Sequence, residues 1–306
     1  MPVKDTGLTA AGIRSEFFDR LSSVQTFYQD LTTRIASNKE LETYAFLGSV
    51  PPMREWGTGR LARGLFTESY QVVNGKYEST LEVDRDELDD DQTGQIRIRI
   101  GEMATRAAQH KDALLAALLV NGASAGFNSY DGQIYFSAAH ASGLSGTQDN
   151  TLAPAIVDKD APTSAEFRAA FASAVARMLG FVDDQGEPMS MAATSLVCVV
   201  PPSMYVAALE ALNATMIGST TNVLQGAARI IAFSRLTDTD TWYLLKTDGT
   251  VRPLIFQDRM PIEFTALEQN SDEGFRREKF LYGIRARYTM TYGYWQYATR
   301  IAFTTA

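Results

Sequence analysis

Cysteine is nearly missing from this chain: Cys198 is the one thiol in 306 residues. No intrachain disulfide can form, and a reducing compartment is the natural setting. Histidine is almost as scarce, with only His110 and His140. That leaves few candidates for a catalytic base and no Cys/His set at zinc spacing. No apolar run reaches the roughly eighteen residues a transmembrane helix needs. The opening Met1-Pro2-Val3-Lys4-Asp5 has no apolar signal core, so no membrane partner is expected. Positive charge is in deficit, with 28 Lys and Arg against 36 Asp and Glu and a net charge of −8. There is no basic tail or patch of the kind that grips nucleic acid tightly. Gly57-x-Gly59 lacks the third glycine and the helix of a phosphate-binding loop. Neither an internal repeat nor a low-complexity linker is visible. What the chain does have is 45% hydrophobic residues, enough for the core of one or two domains.

The strongest local signal is Asn74-Gly75, which predicts a two-residue hairpin turn at the centre of residues 66–83. Pairing across it sets Val72 against Tyr77, Tyr70 against Ser79, Glu68 against Leu81 and Phe66 against Val83. One face is then apolar, and the other carries Gln71, Lys76, Glu78, Thr80 and Glu82. Arms of this length reach roughly 27 Å at ~3.4 Å per residue, and a lone ribbon is marginal in water. The ribbon must therefore lie on its own domain or on a neighbouring subunit.

Helical periodicity runs through residues 9–38 at Ile13, Phe17, Leu21, Val24, Phe27, Tyr28, Leu31 and Ile35, with Thr9 as N-cap. A longer helix is predicted over 96–121, about 39 Å at ~1.5 Å per residue, stopped by Gly122. A short strand is expected at 133–136, a helix at 163–179 opened by Thr163 or Ser164 with Glu166, and a buried strand at 195–200. Pro201-Pro202 leads into a helix over 203–214, and a polar loop follows at 215–227. Strands are expected at 230–233 and 242–246, and residues 254–266 and 279–303 are strand-rich.

The order of these parts resembles the Mu-like phage major head subunit family, a branch of the tailed-phage major capsid proteins. The residues that carry the resemblance are Trp56-Gly57, Tyr77-Glu78-Ser79-Thr80-Leu81-Glu82-Val83, Arg85-Asp86-Glu87-Leu88-Asp89-Asp90-Asp91 and Gly94. Leu118-Leu119-Val120-Asn121-Gly122 and Tyr130-Asp131-Gly132-Gln133-Ile134-Tyr135-Phe136 follow, with His140 and Asn150. The resemblance implies an α+β, Hong Kong 97-type capsid fold shared by tailed phages and herpesviruses. Its parts would be an N-terminal helical arm at 1–48 and an extended hairpin arm at 49–93. A peripheral domain with a long spine helix would take 94–160 and 254–306, the last run returning beside that helix, and an axial α/β domain would take 161–253. Many members carry a cleaved scaffolding segment ahead of the arm, and the initiator Met here leads to the expectation that this chain lacks it.

The implied function is self-assembly into hexamers and pentamers of an icosahedral head around double-stranded DNA, in the virion after synthesis in the host bacterial cytoplasm. Portal, scaffold or protease, and decoration proteins are the implied partners, and DNA would be enclosed without sequence-specific contacts. A mildly acidic inner wall would keep it from sticking. Interface residues are expected on the hairpin arm and the acidic turn after it: Arg60, Arg63, Glu68, Tyr70, Lys76, Glu78, Asp89, Asp90 and Asp91. The axial loop adds Thr215, Thr220, Asn222 and Gln225. Arg and Tyr are common interface anchors, and Lys76 at a hairpin tip matches the lysine that some tailed-phage capsids cross-link.

No catalytic, cofactor or metal site is expected. Gly122-Ala123-Ser124-Ala125-Gly126 matches the G-x-S-x-G string, but a nucleophile elbow needs a strand before the serine and a helix after it. Asp89-x-Asp91-x-x-Gly94 starts like a calcium loop, but the twelfth position, which needs a glutamate, is Ile100. His140 is expected to fix the 130–132 turn by hydrogen bonding. The alternatives are an encapsulin-like cargo shell, which the family motifs argue against, and a serine hydrolase, which the two-histidine count argues against.

Overall fold

The computed structural model describes residues 10–44, 70–89, 94–189, 191–217, 219–249, 251–268 and 271–306. Helix α1 (Ala10–Ser23) buries Ile13 and Phe17. The helix expected to reach residue 38 ends at Ser23. A single turn, α2 (Tyr28–Leu31), and a strand, β1 (Thr32–Ala36), replace its second half. Leu31 and Ile35 fit a helical stripe, but Thr32, Thr33 and Ile35 are β-branched and favour extended backbone. The strand forms a parallel ladder from Thr32↔Leu254 to Ala36↔Asp258, which decides the competition.

Strand β2 (Leu41–Tyr44) pairs antiparallel with β3 (Tyr70–Val73). The next strand, β4 (Gly75–Asp84), does not fold back on β3; it pairs instead with residues 279–288. The predicted hairpin about Asn74-Gly75 is therefore not formed. Its inward side chains have a partner in the same chain: Tyr77, Leu81 and Val83 face the long helix, and Val83 is buried. A short helix, α3 (Arg85–Asp89), precedes the spine helix α4 (Gln95–Asn121), which matches the predicted span. Gly122 follows in right-handed helical geometry. A Cβ there would lie 2.9 Å from the Phe136 ring, so glycine serves close packing and not a left-handed cap.

Strands β5 (Thr151–Leu152) and β6 (Ala155–Ile156) are short. No strand forms at 133–136, where an isolated bridge joins Asn128 and Ile134. Tyr135 instead stacks on Tyr292 at 4.1 Å. Helix α5 (Ser164–Leu179) opens with a complete Thr163/Glu166 capping box. It is followed by β7 (Leu196–Val200), α6 (Tyr205–Leu212), β8 (Met216–Ile217), β9 (Thr220–Thr221), β10 (Arg229–Ala232) and β11 (Thr241–Lys246). Two 14-residue strands, β12 (Leu254–Leu267) and β13 (Lys279–Tyr292), flank α7 (Asp272–Arg277). The chain ends with β14 (Ala298–Ala302) and β15 (Thr304–Thr305).

One sheet runs β1-β12-β13-β4, with β4 at its edge; the other runs β10-β7-β11-β14-β5. The C-terminal run thus divides. β13 stays in the first sheet, while β14 crosses to pair with β11 from Thr241↔Ala302 to Leu245↔Ala298. Residues 298–302 do not return beside the spine helix, because Ala298 and Ile301 are buried in the second sheet's core. Two apolar clusters result. The larger one holds both faces of the five-stranded sheet and the C-terminal half of α4; the smaller one joins α1, the N-terminal half of α4 and the far end of β12 and β13.

Candidate assembly interface

The arm expected at 49–93 has its described root in β2 and β3, with Leu41↔Val73 and Tyr44↔Tyr70 as the ends of the ladder. Residues 45–69, which include Arg60, Arg63 and Glu68, lie outside the described residues. A buried polar network holds the root. The Asn74 amide donates to Ser37 Oγ and the Lys39 carbonyl, both at 2.9 Å, and its oxygen accepts from Gln257 Nε2 at 2.8 Å. Gln257 is fully buried and accepts in turn from the Tyr44 hydroxyl. Tyr70 and Thr291 share a 2.6 Å hydroxyl–hydroxyl bond. Glu42 Oε1 accepts from Asn38 N, Ser37 Oγ and Lys39 N, and these bonds hold its carboxyl below the usual range. Asn74 is thus the knot between arm and core. A Cβ at Gly75 would meet the Tyr77 hydroxyl at 2.7 Å, so a side chain there would displace the Tyr77 ring.

Tyr70 therefore belongs to the arm's root, half-buried against β13. Lys76 and Glu78 are exposed on β4, opposite Arg287 and Arg285. Lys76 is not at a hairpin tip, because the reversal that would have put it there is absent. The Asp89 side chain, Asp90 and Asp91 fall outside the described residues. In the loop expected to be axial, Thr215, Thr220 and Gln225 are exposed around the small β8–β9 ladder. Asn222 is buried and donates to the carbonyls of Ala211 and Ala214, both at 2.9 Å, so it staples the loop base and does not present itself to a neighbour. Apolar side chains missed by the polar reading of this loop are Met216, 60% exposed, and Val223, 84% exposed. Their signal was a pair of apolar residues, Met216-Ile217 and Val223-Leu224, within a polar run.

Among the described residues, neither histidine is hydrogen-bonded to a serine, threonine or cysteine side chain. His140 is fully buried, 2.6 Å from Asp131 Oδ2 and stacked on Trp295 at 4.1 Å, so it fixes the 130–132 turn as expected. His110 bonds the Tyr288 hydroxyl at 2.8 Å, and burial, helped by Arg235, lowers its pKa. Ser124 is exposed on the turn after α4, with neither a strand before it nor a helix after it. Asp112, which sequence reading passed over inside the helical stripe, is buried and caps α2 by accepting from Phe27 N and Tyr28 N. Burial raises its pKa, and those amide bonds oppose the rise. No group of metal-ligating side chains is assembled among the described residues, and no helix there is long and apolar enough to cross a membrane.

The family model described as "Mu-like prophage major head subunit gpT" matches residues 8–167, 155–236 and 233–304. The chain is 23% identical over 290 residues to the Mu-like prophage FluMu major head subunit of Haemophilus influenzae, covering 94% of this chain and 70% of that one. It is 25% identical over 289 residues to the major capsid protein of Escherichia phage Mu, again covering 94% and 70%. Among solved structures, the procapsid of bacteriophage JBD30 is similar with a TM-score of 0.56 at 24% identity, over 96% of this chain and 73% of that one. The mature capsid of bacteriophage PhiM1 is similar with a TM-score of 0.62 at 11% identity, over 92% and 88%. What these structural likenesses share with the chain is its α+β fold.

Proposed function

The chain belongs to the Mu-like prophage major head subunit gpT family, whose model it matches from residue 8 to residue 304, and from that premise we propose how it builds a phage head. It is a major capsid protein, a component of the virion shell that assembles with copies of itself. In the finer reading, hexamers and pentamers close an icosahedral shell around double-stranded DNA, which is held without sequence-specific contacts. A portal, a scaffold or protease, and decoration proteins join the shell, and synthesis takes place in the host bacterial cytoplasm.

The observation that carries the reading is the family match over nearly the whole chain. The geometry supplies a means. A buried network clamps the root of the 41–73 arm to Gln257, while Leu41 and Val73, 37% and 58% exposed, form an apolar pair left for a neighbour. Single exposed charge pairs contribute about 0–1 kcal/mol, so closure depends on many weak contacts repeated by symmetry. No turnover is involved: the work is done by interface energy, and Ser124→Ala is expected to assemble as the parent does.

Electron microscopy of the purified, bacterially expressed protein tests the reading. Closed shells, or rings that close as concentration rises, are expected. A protein that stays monomeric at all concentrations would overturn it.

A further inference from the structure

We propose that β4 docks β4 of a second copy of this chain, the two strands pairing antiparallel about a two-fold axis at Ser79; the inference rests on the self-assembly reading above. β4 is the edge of the four-stranded sheet. Its ladder to β13 runs from Gly75↔Tyr288 to Asp84↔Lys279 without a bulge. The Arg85 amide continues that ladder by donating to the Glu278 carbonyl at 2.9 Å. Backbone groups of successive residues in an antiparallel strand point to opposite sides. The odd-numbered residues of β4 therefore direct theirs to β13. Lys76, Glu78, Thr80 and Glu82 direct theirs outward, where they meet no partner among the described residues. Proteins blunt such an edge with proline, a bulge or a covering segment. β4 has neither proline nor bulge, and no described strand covers its outer side.

Charge identifies the occupant and its register. Facing residues of paired strands share a face of the sheet, so a two-fold pairing of β4 must centre on a residue. Centres at Glu78, Thr80 or Leu81 set Glu78 against a carboxylate: its own copy, Glu82 or Asp84. Like charges directly opposite are unfavourable. A centre at Tyr77 overlaps only residues 75–79 of the strand. The centre at Ser79 overlaps residues 75–83, sets Lys76 against Glu82 on both sides of the axis and sets Glu78 against Thr80. Within its own sheet Lys76 stands opposite Arg287, a like-charge pair, and it has no ion pair among the described residues. Across the axis it gains a carboxylate, joining the Glu82–Lys279 pair of the second copy.

The other face of the strand agrees. Tyr77, Ser79 and Leu81 point toward α4, and the register sets Tyr77 against Leu81 of the second copy. Ser79 is exposed although it lies on this covered face, so the edge is open there. Between β4 and α4 runs a groove of about 660 Å³, with Met103, Ala107 and Ile284 among its walls. The incoming Tyr77 and Leu81 enter beside it and meet apolar surface. Two four-stranded sheets then join into one. The contact is isologous: the same edge serves both copies, so pairing stops at two and does not run on into a fibre.

A cysteine at the axis tests this in the full-length chain. Residue 79 would face its own copy as a non-hydrogen-bonded pair, with Cα atoms roughly 4.5 Å apart, inside the range of about 4.4–6.8 Å that a disulfide spans. Mildly oxidised shells of Ser79→Cys should run as disulfide-linked dimers on a denaturing gel. The native thiol, Cys198, is fully buried and should not contribute. Shells of Lys76→Cys should run as monomers, since the two copies of residue 76 would lie about 20 Å apart at ~3.4 Å per residue. Thr80→Pro removes an outward amide and no bond to β13, so the unassembled subunit should melt close to the parent. Its assembled fraction in sedimentation should fall by about tenfold or more, since each axis loses two backbone bonds. Ser79→Cys shells that run as monomers, or Lys76→Cys shells that cross-link as readily, would overturn the inference. Parental assembly of Thr80→Pro would do so too, and a lowered melting point would place its amide inside the subunit with the same result. If the unaltered chain forms shells while these outcomes fail, only this inference falls. If the unaltered chain forms none, the assembly reading itself falls.

Discussion

Asn74 gives its side-chain amide to Ser37 and Lys39 and takes a bond from Gln257 while only 6% exposed. Removing it leaves the buried Gln257 amide nitrogen without its acceptor and takes one donor from the 37–40 turn, and each stranded polar group costs about 1–3 kcal/mol. Asn74→Ala is therefore expected to destabilise the unassembled subunit by about 2–4 kcal/mol, read as a lower denaturant midpoint. A mere turn residue would cost far less. The sequence marked Asn74-Gly75 as special but could not say why, because the deciding partners stand 37 and 183 positions away. A second residue-scale effect comes from tyrosine. Burial raises the phenol pKa of Tyr135 and Tyr130 and pushes Tyr243 up to about 12. The unfolded chain releases these protons near about pH 10, whereas the folded chain keeps them. Their contribution is full below that value and is lost as pH rises through the folded values, at up to about 1.4 kcal/mol per pH unit for each. Denaturant midpoints should thus fall steeply between about pH 10 and 12, and Tyr135→Phe should make the fall shallower. Glu42 acts at the other end. Its lowered pKa supports the fold above the usual glutamate range, and that support goes as pH falls through its own value.

Among the elements, helices α4 and α5 and strands β7 and β11 could be read from periodicity, caps and apolar runs, because the signals that form them are local. Strands β1 and β4 could not. Residues 32–36 satisfy two periods at once, and only the parallel ladder to β12 decides between them. For β4, a strong hairpin signal was overruled by a ten-residue ladder on β13 and by packing on α4. This changes what may be cut. Deleting residues 67–82, most of the expected hairpin, would remove most of the sheet's edge strand and should unfold the first sheet. Deleting 45–69 with a glycine bridge between Tyr44 and Tyr70 spares β2, β3 and β4, since Tyr44↔Tyr70 already closes the ladder. That variant should melt cooperatively as a soluble subunit and make no closed shells. Loss of cooperative melting would show that the arm supports the core, and normal shells would show that it is dispensable for closure.

At the scale of the molecule, α4 is shared by two apolar clusters of unequal size, its C-terminal half in the larger and its N-terminal half in the smaller. The smaller one depends on α1, whose Phe17 is fully buried and packs on Phe264 with ring centroids 5.2 Å apart. Phe17→Ala removes a large buried side chain, at a cost of about 3–5 kcal/mol. That cost falls on a cluster with few other residues to absorb it. The five-stranded sheet does not touch Phe17 and keeps its own core around Trp242, Tyr243 and Cys198. The two regions should therefore separate in stability, as cooperative units of a single chain often do. Native-state hydrogen exchange is expected to speed up in residues 96–104 and 279–284 of Phe17→Ala while β7 and β11 stay protected. Equal acceleration everywhere would mean that α4 couples the clusters into one cooperative unit. In the expected case the end of the subunit that holds α1 and the N-terminal half of α4 can loosen without loss of the five-stranded core. A shell subunit can then adjust its contacts with neighbours while the rest of its fold stays intact.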